Sequence, residues 1–147
     1  MISRESANAA FRDCLPPPDQ RTPSQDHTTT VSCLLEVTNS LNNELATQFP
    51  EFTARGGLAV SVYAKDPANN NNNTNVFLLA RQISPQNGFQ SRVTASNINK
   101  PLVQAYGAVV IGESFFTYQP ISPLQNMFNF LGLNSVIPTV IYEATIS

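Results

Sequence analysis

The chain has 147 residues and a formal net charge of −2, and 12% of its residues are charged, about half of the 25% that is usual in globular proteins. A single domain of this length buries about 70% of the surface of its unfolded chain and can hold its own core. The few lysines and arginines are scattered, so charge gives no reason to expect binding to nucleic acid or to anionic lipid. The weakly charged, amide-rich composition favours an extracytoplasmic protein or an assembly subunit over a cytosolic enzyme.

The N-terminal third predicts two helices separated by a loop. Residues 2–12 are rich in alanine and contain no helix breaker, whereas the prolines and threonines of residues 15–30 keep the chain extended. Apolar residues then recur every three or four positions over residues 32–49, which predicts a helix that ends before Pro50. We expect its apolar stripe to face the core; the stripe consists of Leu34, Val37, Leu41 and Leu45.

The chain contains two cysteines, Cys14 and Cys33, whose spacing fits neither a redox Cys-x-x-Cys pair nor a zinc ribbon. They are either two unrelated buried thiols or a disulfide that pins the proline-rich loop. The second interpretation is favoured because Cys14 stands beside prolines, a poor place for a core thiol. A disulfide would imply an oxidising compartment and would stabilise the fold by about 3 kcal/mol in the chain-entropy model.

Alternating apolar and polar residues predict a hairpin in the middle of the chain. Its strands are residues 56–66 and 75–84, and the asparagine-rich residues 67–74 form a flexible loop between them. Arg55-Gly56-Gly57 is interpreted as a turn signal. Alternation places two apolar sets on strand faces, namely Leu58, Val60 and Val62, and Val76, Leu78 and Ala80, with Arg81 opposite the second set.

The C-terminal half predicts two further strands around a short helix. Residues 85–104 read as irregular because Asn87-Gly88 and Pro101 interrupt them. Residues 106–118 form a strand whose start is apolar on both faces, as in a central strand, with Glu113 as the exception. A capped helix between Ser122 and Gly132 and a strand over residues 138–146 follow.

This order predicts the α+β class, with helices packed on one face of a four-stranded antiparallel sheet. We expect one domain over residues 1–147. Residues 1–13 form its first helix, residues 14–31 the proline-rich loop, and residues 32–147 a helix and the sheet.

No set of residues predicts a catalytic, cofactor or metal site. The single histidine, His27, lies in the proline-rich loop, and any Ser-His-Asp or Cys-His arrangement would have to use it. Glu113 and Glu143 could approach each other across the sheet, but two carboxylates are too few for a calcium site. No glycine-rich phosphate loop follows a strand.

Residues 114–142 carry no charge, yet they do not predict a membrane span. Pro120, Pro123 and several amides would leave polar backbone groups unsatisfied in lipid. Part of this run must be core, but its aromatic residues exceed what one sheet face hides, and large apolar patches left in water usually mark interfaces. The predicted subunit interface consists of Phe115, Met127, Phe128 and Phe130.

The stretch AVVIGESFFTYQPI, residues 108–121, resembles the signature of TadE-like pilus-assembly proteins. That signature is an apolar strand followed by a glutamate, an aromatic residue and a Tyr-x-Pro ending, which correspond here to Glu113, Phe116, Tyr118 and Pro120. The N-terminal ISRESANAAF, the hairpin and the closing TVIYEATIS are also similar to parts of that family. Gly112 departs from the pattern, where a bulky residue is common, and so does Glu143, where a basic residue often stands.

The resemblance implies a pilin-like fold and a non-catalytic minor pilin or pseudopilin of a bacterial tight-adherence pilus. Such a protein would have a periplasmic or extracellular domain, anchored to the inner membrane by a helix of which residues 1–13 are the end. Its partners would be other pilins and pilus-assembly proteins, with no small-molecule substrate, and its Glu113 and Tyr118 would be structural.

Two alternatives remain open. The chain could be a secreted adhesion or carbohydrate-binding module that uses its asparagine-rich and proline-rich loops. It could also be a hydrolase that depends on His27.

Overall fold

The computed structural model describes residues 2–85, 87–117 and 140–146. Its elements are helices α1 (Ile2–Cys14), α2 (Thr28–Gln48), α3 (Glu51–Arg55) and α4 (Lys100–Tyr106), a 3-10 turn (Pro18–Gln20), and strands β1 (Gly56–Lys65), β2 (Val76–Ser84), β3 (Ala108–Thr117) and β4 (Val140–Ile146). The helix predicted to start at Ser122 lies outside the described residues. So do five of the predicted site residues, namely Tyr118, Pro120, Met127, Phe128 and Phe130.

The strands form one antiparallel sheet in the order β2-β1-β3-β4. Val62 of β1 pairs with Val110 of β3, and Ile111 of β3 pairs with Ile146 of β4. Helices α1 and α2 pack on one face of this sheet. The predicted α+β class, with helices against an antiparallel sheet, is confirmed.

The opposite face of the sheet is covered too, which the sequence did not indicate. The segment that joins β2 to β3 crosses that face and packs Ile98 of the loop and Val103 of α4 against Tyr63 and Val109 of the sheet. As a result β1 is buried over nine consecutive residues, on both faces.

Small residues bring α1 close to the sheet. Ser3, Ala7, Ala10 and Cys14 follow the helical period and are all buried. Opposite them, Gly112 of β3 leaves no room for a side chain, since a Cβ atom there would lie 2.0 Å from the carbonyl oxygen of Ser3. The glycine that departs from the TadE-like pattern is therefore the position at which α1 rests on β3.

Helix α2 begins four residues before its predicted start. The carboxylate of Asp26 accepts hydrogen bonds from the backbone N–H of Thr28, at 2.9 Å, and from the Thr28 hydroxyl, whereas the N-cap residue His27 makes no side-chain capping bond. Within the predicted stripe Leu34 is fully buried and Val37 packs against the core. The remaining two stripe residues are half-buried.

Cys14 and Cys33 form a disulfide, with 2.03 Å between the sulfur atoms and 5.5 Å between the Cα atoms. This confirms the disulfide prediction over the alternative of two free thiols. The bond joins the last residue of α1 to the second turn of α2 and closes a loop of 19 residues, so it stabilises by about 3 kcal/mol in the chain-entropy model.

A β-bulge in β2 overturns the predicted face of that strand. Val62 pairs with Ala80 and Tyr63 with Leu78, so Leu79 is an extra residue. Ala80 therefore packs in the cluster that α1 and α2 cover, whereas Val76 packs in the cluster on the opposite face. The prediction that Val76, Leu78 and Ala80 share a face is wrong because strict alternation cannot anticipate a bulge.

Helix α4 occupies residues 100–104 of the segment predicted to be irregular, and the described residues before it contain no helix or strand. The side chain of Asn99 accepts a hydrogen bond from the backbone N–H of Leu102 at 3.2 Å, and Pro101 occupies the first turn, where no backbone donor is needed. Gly107, with a φ of 78°, ends the helix. Tyr106 consequently belongs to α4 and not to β3.

The adjacent glycines at the start of β1 are more than a turn signal. A Cβ atom on Gly56 would lie 2.4 Å from the ring of Phe52, and one on Gly57 would lie 2.8 Å from the ring of Phe89. Each glycine thus makes room for an aromatic ring.

Replacing Gly112 by alanine should lower the free energy of unfolding by about 1–3 kcal/mol, because the added methyl group collides with helix backbone that cannot move without lifting α1. Urea denaturation measures the effect. Glu5→Ala, on the exposed side of the same helix, is the control and should change stability by less than about 0.5 kcal/mol. Equal stability of Gly112→Ala and the wild type would contradict the close packing of α1 on Gly112.

Candidate functional site

The glutamate of the TadE-like motif is a buried anchor for the segment that crosses the sheet. Glu113 lies in β3 and is 0% exposed. Its Oε1 atom accepts the backbone N–H of Arg92 at 2.9 Å, and its Oε2 atom accepts the hydroxyl of Ser91. Both donors belong to the loop between β2 and α4, so the carboxylate attaches this loop to the central part of the sheet.

The neighbouring strands hold the same loop through Val93. The guanidinium of Arg81, from β2, donates to the carbonyl oxygen of Val93 at 2.8 Å, and the hydroxyl of Tyr63, from β1, donates to it at 2.9 Å. Arg81 also donates to the hydroxyl oxygens of Ser61 and Tyr63, at 2.8 and 2.7 Å. We call Ser61, Tyr63, Arg81 and Glu113 the anchor network. Its last three members bind the Val93 carbonyl oxygen, the Arg92 N–H and the Ser91 hydroxyl, and Ser61 accepts a hydrogen bond from Arg81.

The phenol of Tyr63 is kept neutral by its surroundings. Burial raises the pKa of Tyr63, and the nearby charge of Glu113 raises it as well, whereas the charge and hydrogen bond of Arg81 oppose the change. A neutral phenol can both accept from Arg81 and donate to Val93, as the observed contacts require.

The two phenylalanines that follow Glu113 point to opposite faces. Phe115 is 2% exposed. Its ring is stacked on that of Phe89 at 5.1 Å, and the guanidinium of Arg92 lies 5.9 Å from its centroid. Phe116 contacts the rings of Phe49 and Phe52, with centroids 5.2 and 6.5 Å away.

The burial of Phe115 corrects the interface prediction, which counted Phe115 as a surface residue. Phe115 belongs to the core of this domain. The other predicted interface residues, Met127, Phe128 and Phe130, lie outside the described residues.

The described contacts do not support the predicted approach of Glu113 to Glu143. In the register of β3 and β4 Ala144 pairs with Glu113, and Glu143 pairs with Ser114.

The largest described cavity, of about 500 Å³, lies beside the disulfide and brings the only histidine near two carboxylates. His27 and Asp26 line it, as does Asp13. However, Nε2 of His27 donates to the carbonyl oxygen of Thr22 at 2.8 Å.

Both carboxylates in this cavity wall already have partners. The hydrogen bonds from Thr28 hold the pKa of Asp26 below its usual value, and Asp13 is paired with Arg12 at 2.8 Å. The cysteines in the wall are oxidised to each other. Within the described ranges no hydrogen bond joins the His27 ring to a carboxylate, so the arrangement expected of a nucleophile and its base is not assembled there.

The described part of the chain contains no group of three or more His, Cys, Asp and Glu side chains that could hold a metal ion. In the same part, none of the helices combines the length and the apolar character that crossing a membrane requires.

No family model, curated protein or solved structure matches this chain. The TadE-like resemblance therefore rests on the residues that carry it, of which the structure describes Glu113 and Phe116.

The sequence indicated Glu113 but not the rest of the anchor network. The partners of Glu113 include the backbone N–H of Arg92 and the hydroxyl of Ser91, which lie far from it in the sequence. The available signal was the run of polar residues at alternate positions, Ser61 and Tyr63 on β1 and Arg81 on β2, opposite the face that packs on α1 and α2.

Removing the carboxylate of Glu113 should loosen the loop without disturbing α1. Glu113→Ala leaves the Arg92 amide and the half-buried Ser91 hydroxyl without this acceptor, and we expect the free energy of unfolding to fall by roughly 1–3 kcal/mol. Glu113→Gln keeps an acceptor oxygen and should lose less. The control is Glu51→Ala, at an exposed pair with Arg55, with a loss below about 0.5 kcal/mol in urea denaturation. An alanine variant as stable as this control would contradict the anchoring role.

Tyr63 should ionise at a higher pH than an ordinary tyrosine. Because the folded-state pKa of Tyr63 is raised above the ordinary value of 10.0, its stabilising effect is complete below that value and is lost as the pH rises through the raised pKa. Phenolate absorbance is followed in an alkaline titration of the wild type and of Tyr63→Phe. The difference between the two curves, which reports Tyr63, should have a midpoint above 10.0; a midpoint at or below that value would contradict the described burial.

Proposed function

We propose that this chain is the non-catalytic assembly domain of a TadE-like minor pilin or pseudopilin, a subunit of a bacterial tight-adherence pilus. In this proposal the domain lies in the periplasm or outside the cell and is anchored to the inner membrane by a helix that leads into α1. Its partners are other pilins and pilus-assembly proteins.

The observation that carries the proposal is the way α1 and the motif meet on β3. Ser3 and Ser6 of α1 pack at Gly112, and the next residue, Glu113, holds the loop on the opposite face. A helix laid along an antiparallel sheet is the arrangement that a pilin-like fold implies. Because α1 makes this contact through small residues and backbone, its position on the sheet is fixed. A membrane anchor continuous with α1 would therefore fix the position of the domain.

The disulfide supports the proposed compartment. Disulfides persist in the bacterial periplasm and at cell surfaces and are rare in the cytosol. The bond between Cys14 and Cys33 also fixes the end of α1 to α2, which strengthens the same connection between the first helix and the rest of the domain.

The asparagine-rich loop favours a second candidate, an adhesion module that binds carbohydrate. The loop is built from successive side-chain turns in which Asp66, Asn69 and Asn71 each accept the backbone N–H two residues later, at 2.9–3.0 Å. Two side chains of α4 also donate to backbone carbonyl oxygens of this loop: Lys100 to that of Asn73 and Gln104 to that of Asn72. A cavity of about 270 Å³ beside it is lined mostly by amide groups, which can both donate to and accept from sugar hydroxyls.

Deletion of the gene from its native host tests the assembly function. The deletion strain should lose surface pili in electron micrographs, and the wild-type gene should restore them. A gene carrying His27→Ala should restore them equally well, since no catalytic step uses that residue, whereas Glu113→Ala should restore them poorly. A deletion strain that keeps its pili would contradict the proposal. If, in addition, the purified wild-type domain bound glycans and lost that binding when residues 69–73 were removed, the adhesion function would replace the proposed assembly function.

A further inference from the structure

We call the segment between β2 and α4 the crossing loop. Near its start it makes a second contact with the domain, at the junction of α3 and β1. The side-chain amide of Asn87 donates to the carbonyl oxygen of Thr53 at 3.0 Å and to that of Gly56 at 2.8 Å. Thr53 belongs to the last turn of α3, whose carbonyl groups have no partner within the helix. The side-chain nitrogen of Asn87 thus provides a hydrogen-bond donor both for a carbonyl group at the end of α3 and for the carbonyl group of the first residue of β1.

The residue after Asn87 is a glycine, so no side chain hinders the approach of the Gly88 backbone nitrogen to the side chain of Asn87. Gly88 carries no side chain, and a Cβ atom there would have no neighbour within 4 Å. Both residues are exposed and have positive φ angles, 36° for Asn87 and 78° for Gly88. In the described part of the chain the N–H of Gly88 donates no hydrogen bond.

We propose that Asn87 is a site of spontaneous deamidation, and that this modification releases the start of the crossing loop. The backbone nitrogen of Gly88 loses its proton and attacks the side-chain carbonyl carbon of Asn87, and ammonia leaves as the bond from that carbon to Nδ2 breaks. Water then opens the resulting five-membered imide to aspartate or isoaspartate. No oxidant, reductant or enzyme is required.

The carboxylate formed by deamidation cannot form the hydrogen bonds that the Asn87 amide makes. An ionised carboxylate accepts hydrogen bonds but donates none, so it would place negative charge against the carbonyl oxygens of Thr53 and Gly56 and leave both without their donor. The anchor network is separate from this contact, because it holds residues 91–93 from the strands. Deamidation therefore frees residues near Asn87 while Ser91 stays attached to Glu113.

The chain contains an internal control for this reaction. Trypsin cleavage after Arg81 and Arg92 gives a peptide of residues 82–92 in which Asn87 is the only asparagine, and cleavage after Lys65 and Arg81 gives the asparagine-rich residues 66–81. In the second peptide every asparagine is followed by a residue with a side chain, which hinders ring closure.

The folded protein is incubated at mildly alkaline pH and body temperature, and both peptides are followed by mass spectrometry. We expect the peptide of residues 82–92 to gain the mass that separates a carboxyl group from an amide well before the peptide of residues 66–81 does. Asn87→Gln, which would need a larger ring, should abolish that gain. Asn87→Asp should melt at a lower temperature than the wild type and exchange its backbone hydrogens faster around α3 and the start of β1. Deamidation that occurs only in the unfolded chain, or no faster at Asn87 than in the asparagine-rich loop, would overturn the proposal.

Discussion

A buried carboxylate that accepts hydrogen bonds from a loop is the interaction on which this architecture depends. Without Glu113 the hydroxyl of Ser91 and the backbone N–H of Arg92 would have to be satisfied by water, and the loop would lose this attachment to the sheet. With it, Ile98 and Val103 reach the face that carries Tyr63 and Val109. The sheet is then covered on both faces, and β1 is a fully buried central strand.

Strand β3 combines this interaction with the contact of α1 in adjacent residues. Successive side chains of a strand point to opposite faces, so Gly112 receives the helix and Glu113 receives the loop. The first contact requires the absence of a side chain, and the second requires a polar side chain that would be costly to bury alone. Substitution at either position affects one face of the sheet, which is why the two contacts can be tested separately.

Much of the local structure was predictable because its causes are local. The helical period around Leu34, the strand alternation around Val60 and the pairing of the cysteines depend on short stretches of sequence, and the structure contains each of them. The start of α2 was missed because its first three residues, 28–30, are threonines that lie ahead of the apolar stripe.

The features that sequence could not predict depend on contacts between distant residues. The bulge at Leu79 and the ring contacts at Gly56 and Gly57 follow from pairing and packing that no short window contains. Helix α4 was obscured because Pro101 reads as a breaker unless its place in the first turn is known. In the anchor network, Glu113 stood out as a charge in an apolar strand, but its partners lie 21 and 22 residues away in the chain.

Amide hydrogen exchange at Arg92 tests the central interaction most directly. Arg92 lies in a loop without regular secondary structure, where an amide exposed to water exchanges rapidly. If the carboxylate of Glu113 holds this N–H, its exchange should be slowed to the level of the β-strand amides, as expected of a group released only by large-scale opening. Exchange as fast as in the asparagine-rich loop would show that the segment is not anchored, and the account of a loop attached to the sheet by Glu113 would be wrong.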